Sequence, residues 1–208
     1  MRISYSLINT YLQCKYKFKL HYVDKLFLFK ETEATQKGKK LHENIYNYFI
    51  NDSLLDSEIQ SNLSALKSAV SRAEIAILEE KQYVNNFMYI PDFLIIKNDI
   101  AFLCDFKTGK VPILKYLNYK QLDFYAWLIF LQNPHVKLVY SQYMYVIFNK
   151  VFKKRYDRST DEKMLHKYFL SLLHAIQHEQ KFLKQESALC QYCIYREKNL
   201  CTSSKKNY

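Results

Sequence analysis

Two mostly apolar runs joined by a two-residue turn constrain the fold of this chain more than any other feature. Residues 87–97 and 100–107 both have the composition of strands, and Asn98-Asp99 between them is typical of a hairpin turn. Strands that are apolar on both faces are typical of a sheet covered on both sides. We therefore expect the core to be built around a sheet inside the protein.

Helical patterns lie on both sides of this hairpin. Helices are predicted over residues 4–13, 36–50 with Thr35 as the cap, 58–80, 116–131 and 160–186. A further strand is predicted over 137–148, followed by a basic turn over 150–158. This order predicts an α/β fold. A chain of 208 residues can bury a sizeable core, so we expect one domain over 1–208 with its core at about 36–150.

The hairpin also places two acidic side chains near each other. Pairing Lys97 with Ile100 sets Asp92 opposite Asp105, and Lys107 shares a strand face with Asp105. Two carboxylates in an apolar sheet repel each other and are costly to bury, whereas a bound divalent cation removes that cost. Oxygen ligands suit Mg²⁺ or Mn²⁺, which activate water for hydrolysis. The alternative is a solvated ion pair, since Asp-x-Lys is common in proteins.

The charge of the chain indicates the class of partner. Lys and Arg number 31 against 20 Asp and Glu, which leaves a formal net charge of +11, and 16% of residues are aromatic. Basic side chains neutralise phosphates and aromatic rings stack on bases, so we expect a nucleic-acid partner. The alternative is a basic protein with no such partner.

Other classes of protein are disfavoured by composition. Only two glycines occur, which excludes the common Gly-rich nucleotide-binding loops. No apolar run approaches the roughly 18 residues of a membrane span, and no secretory leader is recognisable. We therefore expect a cytoplasmic protein without a membrane partner, located in the host cytoplasm if the chain is viral.

Five cysteines form a second informative pattern. Cys190, Cys193 and Cys201 lie close together in sequence, Cys14 lies near the start of the chain, and Cys104 sits in an apolar run. An odd number of cysteines in an intracellular chain argues against a disulfide framework and for a metal site or burial. Cys104, which faces away from Asp105 on its strand, is expected to be a core residue.

Four stretches form a combined pattern: Pro91-Asp92 with Asp105-Phe106-Lys107, the following Thr108-Gly109, Gln121 to Ala126 (QLxxYA) and Gly38 to Glu43 (GxxxHE). Taken together, they resemble the PD-(D/E)XK nuclease superfamily, and more narrowly its RecB-like branch. The resemblance implies a restriction-endonuclease-like core, in which a mixed central sheet is flanked by helices. The chain departs from many RecB-like members in having Tyr89-Ile90-Pro91 before Asp92, where they carry Gly-Arg/Ile.

The resemblance also implies the role of each site residue. The implied ligands of Mg²⁺ or Mn²⁺ are Asp92, Asp105, His42 and the carbonyl of Phe106. Lys107 would activate the attack, while Gln121 and Tyr125 would orient Lys107 or contact substrate phosphates. Glu79 and Glu80 lie where related nucleases often carry another acid, but we interpret them as a solvated helix end.

The surroundings of Cys14 resemble the CPxxFxL stretch of iron–sulfur nucleases, with Lys15 in place of the usual Pro. These include the CRISPR-associated RecB-like exonucleases, with their archaeal-virus relatives, and the AddB-type helicase–nucleases. The resemblance implies a 4Fe–4S cluster held by Cys14, Cys190, Cys193 and Cys201, which would clasp residues 1–30 to 160–208. Four thiolates also suit Zn²⁺, and unliganded thiols are the third alternative.

The function implied by the resemblance is metal-dependent hydrolysis of phosphodiester bonds in DNA, with single-stranded DNA as the expected substrate. Interleaved charges and aromatics at 150–156 are expected to guide the strand. Both exonuclease and endonuclease activity remain open, as does action beside separate DNA-processing proteins. The alternatives are a non-catalytic nucleic-acid-binding or adaptor protein on a nuclease-derived fold and a zinc-bearing structural partner.

Overall fold

The computed structural model describes residues 2–202 of the 208-residue chain. The helices are α1 (Tyr5–Gln13), α2 (Lys15–Phe18), α3 (Glu33–Asn51), α4 (Ser57–Val70), α5 (Lys120–Gln132), α6 (Arg158–Gln177) and α7 (Ile194–Glu197). The strands are β1 (Ile75–Ile77), β2 (Gln82–Val84), β3 (Phe87–Tyr89), β4 (Phe93–Lys97), β5 (Ile100–Lys107), β6 (Leu138–Tyr145) and β7 (Lys150–Asp157). The α/β class predicted from the sequence is confirmed.

A mixed five-stranded sheet forms the centre of the fold, in the order β1-β4-β5-β6-β7. Strands β5 and β6 are parallel, and the other neighbours in this sheet are antiparallel. Parallel strands need a crossover connection, and α5 lies in the connection between β5 and β6. Strands β2 and β3 form a separate two-stranded sheet.

The central hairpin has the predicted register. Lys97 is paired with Ile100, and the last pair of the ladder is Phe93 with Cys104. Asn98 in the turn has φ 54°, in the left-handed region that Asn tolerates better than most residues. Continuing this register by one residue places Asp92, which precedes β4, opposite Asp105.

Helices cover both faces of the sheet. On one face, Phe93 and Phe106 pack against Phe49 of α3, with ring centroids 5.3 Å and 6.3 Å from that ring. On the other face, Trp127 of α5 stacks on Phe169 of α6 with a centroid distance of 5.1 Å. Burying such a side chain stabilises the fold by about 1.5–3 kcal/mol, so this packing holds the ends of the central strands in place.

The helix predicted over 58–80 is too long. Helix α4 ends at Val70, and residues 75–77 form the edge strand β1 against Leu94, Ile95 and Ile96 of β4. An unpaired edge of β4 would leave its backbone groups without partners. The ladder with β1 satisfies them, so tertiary pairing overrides the helical pattern.

The single strand predicted over 87–97 is also wrong. The run divides into β3, which pairs with β2, and β4, which pairs with β5. Pro91 lies between them and has no N–H to donate to a ladder, so the strand cannot continue through it. The break frees the adjacent Asp92 from strand pairing.

The basic turn predicted over 150–158 is wrong, because those residues form all of β7 and the first residue of α6. The turn lies earlier, at 146–149, where Asn149 has φ 46°. Phe152 and Tyr156 lie on one face of β7 and are buried. Lys154 lies between them on that face and forms an ion pair with Asp123 at 2.5 Å. The alternation of buried and exposed residues explains the strand.

Helix α3 begins before the predicted cap. Thr32, not Thr35, is the N-cap: its hydroxyl accepts the Thr35 N–H at 3.2 Å, and the Thr35 hydroxyl accepts the Thr32 N–H at 2.8 Å. This reciprocal pair satisfies two N–H groups that a helix start otherwise leaves without partners.

The two ends of the described chain meet. Glu179, just after α6, binds Lys15 Nζ at 2.5 Å and accepts a hydrogen bond from the Tyr11 hydroxyl at 3.0 Å. Farther along, His21 Nδ1 lies 2.7 Å from the Tyr195 hydroxyl. Residues 1 and 203–208, which belong to the predicted end subregion, lie outside the described residues. Across residues 2–202, every helix is too short or too polar to cross a membrane.

Candidate metal centre

Three side chains from separate elements converge at one end of the sheet. His42 lies in α3, Glu79 follows β1 and Asp92 precedes β4, and one ligand atom from each lies within 4.8 Å of the other two. His42 Nδ1 is 2.9 Å from Glu79 Oε1 and 3.7 Å from Asp92 Oδ1. One imidazole and two carboxylates form a donor set that suits Mn²⁺ and other divalent cations.

Glu79 is the site residue that sequence reasoning placed wrongly, at a solvated helix end. It has φ 51°, an uncommon value for a residue other than glycine. Its N–H donates to the carbonyl of Pro91 at 2.9 Å, which ties the end of β1 to the turn that carries Asp92. In the sequence, the only sign of a strand ahead of Glu79 is the pair Ile75 and Ile77, two positions apart. Glu80 is exposed, as predicted.

Asp92 is held by the neighbouring strand. Its Oδ2 accepts the backbone N–H of Phe106 at 2.6 Å. Burial, together with repulsion from Asp105, raises the pKa of Asp92 to about 8. The hydrogen bond to Glu79 raises the pKa of His42, although burial acts in the opposite direction. Phe106 thus contacts the site through its N–H, whereas its carbonyl was the predicted ligand.

Asp105 lies beside this group and is 3% exposed. Lys107 Nζ forms an ion pair with Asp105 Oδ2 at 2.5 Å. Burial raises the pKa of Asp105, and the charge of Lys107 partly offsets that rise. The ligand atoms of His42, Glu79 and Asp92 all lie within 4.8 Å of one another, and Asp105 is not a member of that group.

These environments fit a divalent cation. Asp92 and Asp105 are buried carboxylates with raised pKa values, and they lose much of their burial penalty when a cation lies between them. His42 and Glu79 complete the set on the side of α3.

Lys107 begins a chain of hydrogen bonds that runs into the core. Lys107 Nζ donates to Gln121 Oε1 at 3.1 Å, and Gln121 Nε2 donates to the Tyr125 hydroxyl at 3.4 Å. The Tyr125 hydroxyl donates to the carbonyl of Ile90 at 3.1 Å. Gln121 and Tyr125 therefore share a helix face, as their spacing predicts. Lys107 Nζ also lies 4.8 Å from the ring centre of Tyr143, a contact with no signal in the sequence.

Gly38 allows α3 to approach the segment that follows β5. A Cβ atom at Gly38 would lie 3.1 Å from the Thr108 hydroxyl oxygen, closer than side-chain atoms normally pack. The same helix presents His42 one turn later. The glycine therefore sets the distance between His42 and the strand that carries Asp105 and Lys107.

Comparison with known proteins identifies the family. A family model for the PD-(D/E)XK nuclease superfamily matches residues 2–90 and 86–201. The chain belongs to this superfamily. Within this PD-(D/E)XK chain, Pro91-Asp92 and Asp105-Phe106-Lys107 occupy the hairpin described above.

Beyond the family model, similarity to known proteins is low. No curated protein matches the chain. Among solved structures, the crystal structure of SSO0001 is similar over 94% of this chain and 84% of that one, with a TM-score of 0.48 and 13% sequence identity.

The four predicted cluster cysteines of the PD-(D/E)XK chain line one cavity of about 200 Å³ where the chain ends meet: Cys14, Cys190, Cys193 and Cys201. The Cys14 sulfur accepts the Lys17 N–H at 3.5 Å, and the Cys190 sulfur accepts the Ser187 N–H at 3.4 Å. Within residues 2–202, no three cysteine sulfurs lie within 4.8 Å of one another. Cys104 is fully buried, which confirms it as a core residue.

Proposed function

We propose that this chain is a divalent-metal-dependent deoxyribonuclease that hydrolyses phosphodiester bonds. The observation that carries the proposal is the convergence of His42, Glu79 and Asp92 beside the ion pair of the buried Asp105 with the half-buried Lys107. A purely structural ion pair would not need three further ligand-type side chains around it. Membership of the PD-(D/E)XK superfamily supports a nuclease-type activity.

The metal ligands in this proposal are His42, Glu79, Asp92 and Asp105. A bound Mg²⁺ or Mn²⁺ supplies Lewis-acid stabilisation of the phosphoryl oxygens and lowers the pKa of a bound water. The Phe106 N–H holds the Asp92 carboxylate in position through its 2.6 Å hydrogen bond. The 2.9 Å contact of Glu79 Oε1 with His42 Nδ1 orients the imidazole within the metal group.

Lys107 stabilises negative charge on the phosphate in this mechanism. An ammonium group has three donors. One N–H of Lys107 donates to Gln121 and a second faces Asp105 in the ion pair. The third N–H is left for a substrate oxygen. Gln121 and Tyr125 act as positioning residues, because their hydrogen-bond chain to Ile90 keeps the ammonium in place.

We also propose that the chain belongs to the RecB-like branch and prefers single-stranded DNA. The GxxxHE and QLxxYA residues support the branch, since His42 reaches the metal group and Gln121 reaches Lys107. A net charge of +11 supports a polyanionic substrate.

A nuclease assay tests both parts of the proposal. Purified protein is incubated with single-stranded or duplex DNA in Mg²⁺, Mn²⁺ or chelator, and linear and circular single strands are compared to separate exonuclease from endonuclease activity. We expect cleavage with either metal, faster on single strands, and none in chelator. DNA binding without cleavage under every metal condition would instead support the non-catalytic adaptor.

The four cysteines are proposed to hold a 4Fe–4S cluster that clasps the chain ends. The four cysteines line one cavity of about 200 Å³, which supports a shared group at the chain ends. The resemblance of the Cys14 segment to iron–sulfur nucleases favours the cluster over a single zinc ion, which also accepts four thiolates. The N–H groups that reach the sulfurs of Cys14 and Cys190 are contacts of a kind that adjust cluster potentials.

Iron and sulfide analysis of anaerobically purified protein, with its visible spectrum, tests the cluster. We expect about four irons per chain, with loss of iron in Cys193→Ser and retention in the matched control Cys104→Ala. Colourless protein that contains zinc, or four free thiols, would contradict the cluster and leave the nuclease proposal intact.

A further inference from the structure

A long groove runs along α3 beside the candidate metal centre. It has a volume of about 1140 Å³ and lies between α3 and the β1 region. His42 and Glu79 belong both to its wall and to the metal group. The lining extends along α3 from Ala34 to Ile50, which at 1.5 Å per residue is about 24 Å of helix. The groove therefore extends well beyond the space that one cation occupies.

One aromatic side chain in this groove has the placement of a stacking platform. Tyr46 lies four residues after His42, one turn along the same side of α3. It is 37% exposed. Among residues 2–202 it makes no hydrogen bond, ion pair or ring contact, so its ring is available to a ligand. The next turn of the helix adds the exposed Ile50 to the same wall.

A second aromatic group lies towards the start of α3. Phe29 is exposed and lines the groove, and Lys39 Nζ lies 5.2 Å from its ring centre. Lys39 is also paired with Glu31 at 3.1 Å. The metal group thus has an aromatic ring on either side of it along the helix.

The charges of the wall indicate which part of a nucleotide it takes. Besides Glu79, the acids Glu43 and Glu80 line the groove, and the Lys39 ammonium in the same lining is paired with Glu31. Carboxylates repel phosphates and do not repel the faces of bases. A groove of this composition therefore favours contacts to bases over contacts to the phosphate backbone, and base stacking on aromatic rings does not depend on sequence.

We propose that the groove binds unpaired bases of a DNA single strand, with one base stacked on Tyr46 next to the phosphate held at the metal group. This inference rests on the proposed nuclease function and names the feature that makes the site select single strands. In a duplex, bases are stacked inside the helix and cannot lie flat on a wall side chain. The path differs from the one predicted along 150–156, which lies on the opposite edge of the sheet in β7.

Binding measurements with Tyr46→Ala and Tyr46→Phe test the proposal. Tyr140→Ala is the matched control, because Tyr140 is 40% exposed but lies on β6, away from the groove. A labelled single-stranded oligonucleotide and the corresponding duplex are titrated in Ca²⁺ by fluorescence anisotropy, and gels verify that the strands stay intact. A second oligonucleotide series carries one 2-aminopurine at successive positions, whose fluorescence falls when it stacks.

We expect Tyr46→Ala to weaken single-strand binding by about 5- to 150-fold, the range for loss of one stacked base, with duplex binding unchanged. Tyr46→Phe and Tyr140→Ala should bind as the wild type does. In the wild type, 2-aminopurine fluorescence should fall at one position, and Tyr46→Ala should abolish that fall. Thermal melting of each variant verifies folding.

Three results would overturn the groove proposal: wild-type affinity in Tyr46→Ala, an equal loss for duplex and single strand, or no 2-aminopurine position that responds in the wild type. Failure of the nuclease proposal gives a different pattern. In that case the wild type cleaves nothing in Mg²⁺ or Mn²⁺ while single-strand binding still depends on Tyr46.

Discussion

His42 Nδ1 and Glu79 Oε1 lie 2.9 Å apart, and this contact joins α3 to the segment after β1. A carboxylate on one ring nitrogen orients the imidazole and makes the other nitrogen a better metal ligand. The backbone N–H of Glu79 donates a hydrogen bond to the carbonyl of Pro91, the residue before Asp92. The pair therefore sets the position of both the imidazole and the turn that carries the buried carboxylate.

Replacing Glu79 should weaken metal binding. Glu79→Gln keeps the size of the side chain and removes its charge, so we expect the affinity for Mn²⁺ to fall about 10- to 100-fold. Isothermal titration calorimetry with Mn²⁺ measures this change. Glu80→Gln is the matched control, because Glu80 is the exposed neighbour and is not among the three clustered ligands. Equal affinities of both variants and the wild type would rule out a role for Glu79.

The pKa of Asp92 predicts how metal-free stability depends on pH. Its pKa of about 8 in the folded state lies above the value of about 3.9 for an unfolded Asp. The folded state therefore binds more protons between these values, so this contribution to stability is complete below about pH 4 and is lost as the pH rises through 8. Urea denaturation in chelator from pH 5 to 9 measures the loss.

Asp92→Asn is the reference for this experiment, since its side chain does not titrate. As the pH rises, the free energy of unfolding of the wild type should fall relative to that of Asp92→Asn. Mg²⁺ binds the ionised carboxylate, so its stabilising effect on the wild type should grow over the same range. A difference that stays constant with pH would show that Asp92 is ionised throughout.

Removing the ammonium group of Lys107 should slow cleavage without loss of DNA binding. Loss of one donor to developing negative charge typically costs about 100- to 1000-fold in rate, and we expect this range for Lys107→Ala in single-turnover assays. Lys110→Ala serves as the control, since Lys110 is exposed and lies three residues further on. A Lys107→Ala enzyme with wild-type rate would remove Lys107 from the mechanism.

The contact between Gly38 and Thr108 can be tested with a double-mutant cycle. Ala is preferred over Gly inside a helix by about 1 kcal/mol, but a Cβ at Gly38 would lie 3.1 Å from the Thr108 hydroxyl oxygen. In a Thr108→Ala background, we expect Gly38→Ala to raise the free energy of unfolding. When Thr108 is present, the same substitution should raise it by less. Urea denaturation gives the coupling energy, and strict additivity would contradict the close approach.

Elements whose pattern depends on neighbouring residues could be predicted from the sequence. The hairpin register follows from the Asn98-Asp99 turn, and the shared face of Gln121 and Tyr125 follows from helical spacing. Strand β1 could not be predicted, because a three-residue edge strand is stabilised by its partner β4 and has little preference of its own. For the same reason Glu79 was placed at a helix end.

The sequence by itself determined the α/β class, the central hairpin, the Asp92 and Asp105 pair and the grouping of cysteines near the chain ends. These follow from side-chain periodicity and from residues close along the chain. Only the tertiary structure decided that Glu79 reaches His42, that Tyr143 lies under Lys107 and that Tyr46 faces a groove. Each of those contacts joins residues far apart in sequence or depends on which helix face packing leaves exposed, and such contacts are set by the packing of whole elements.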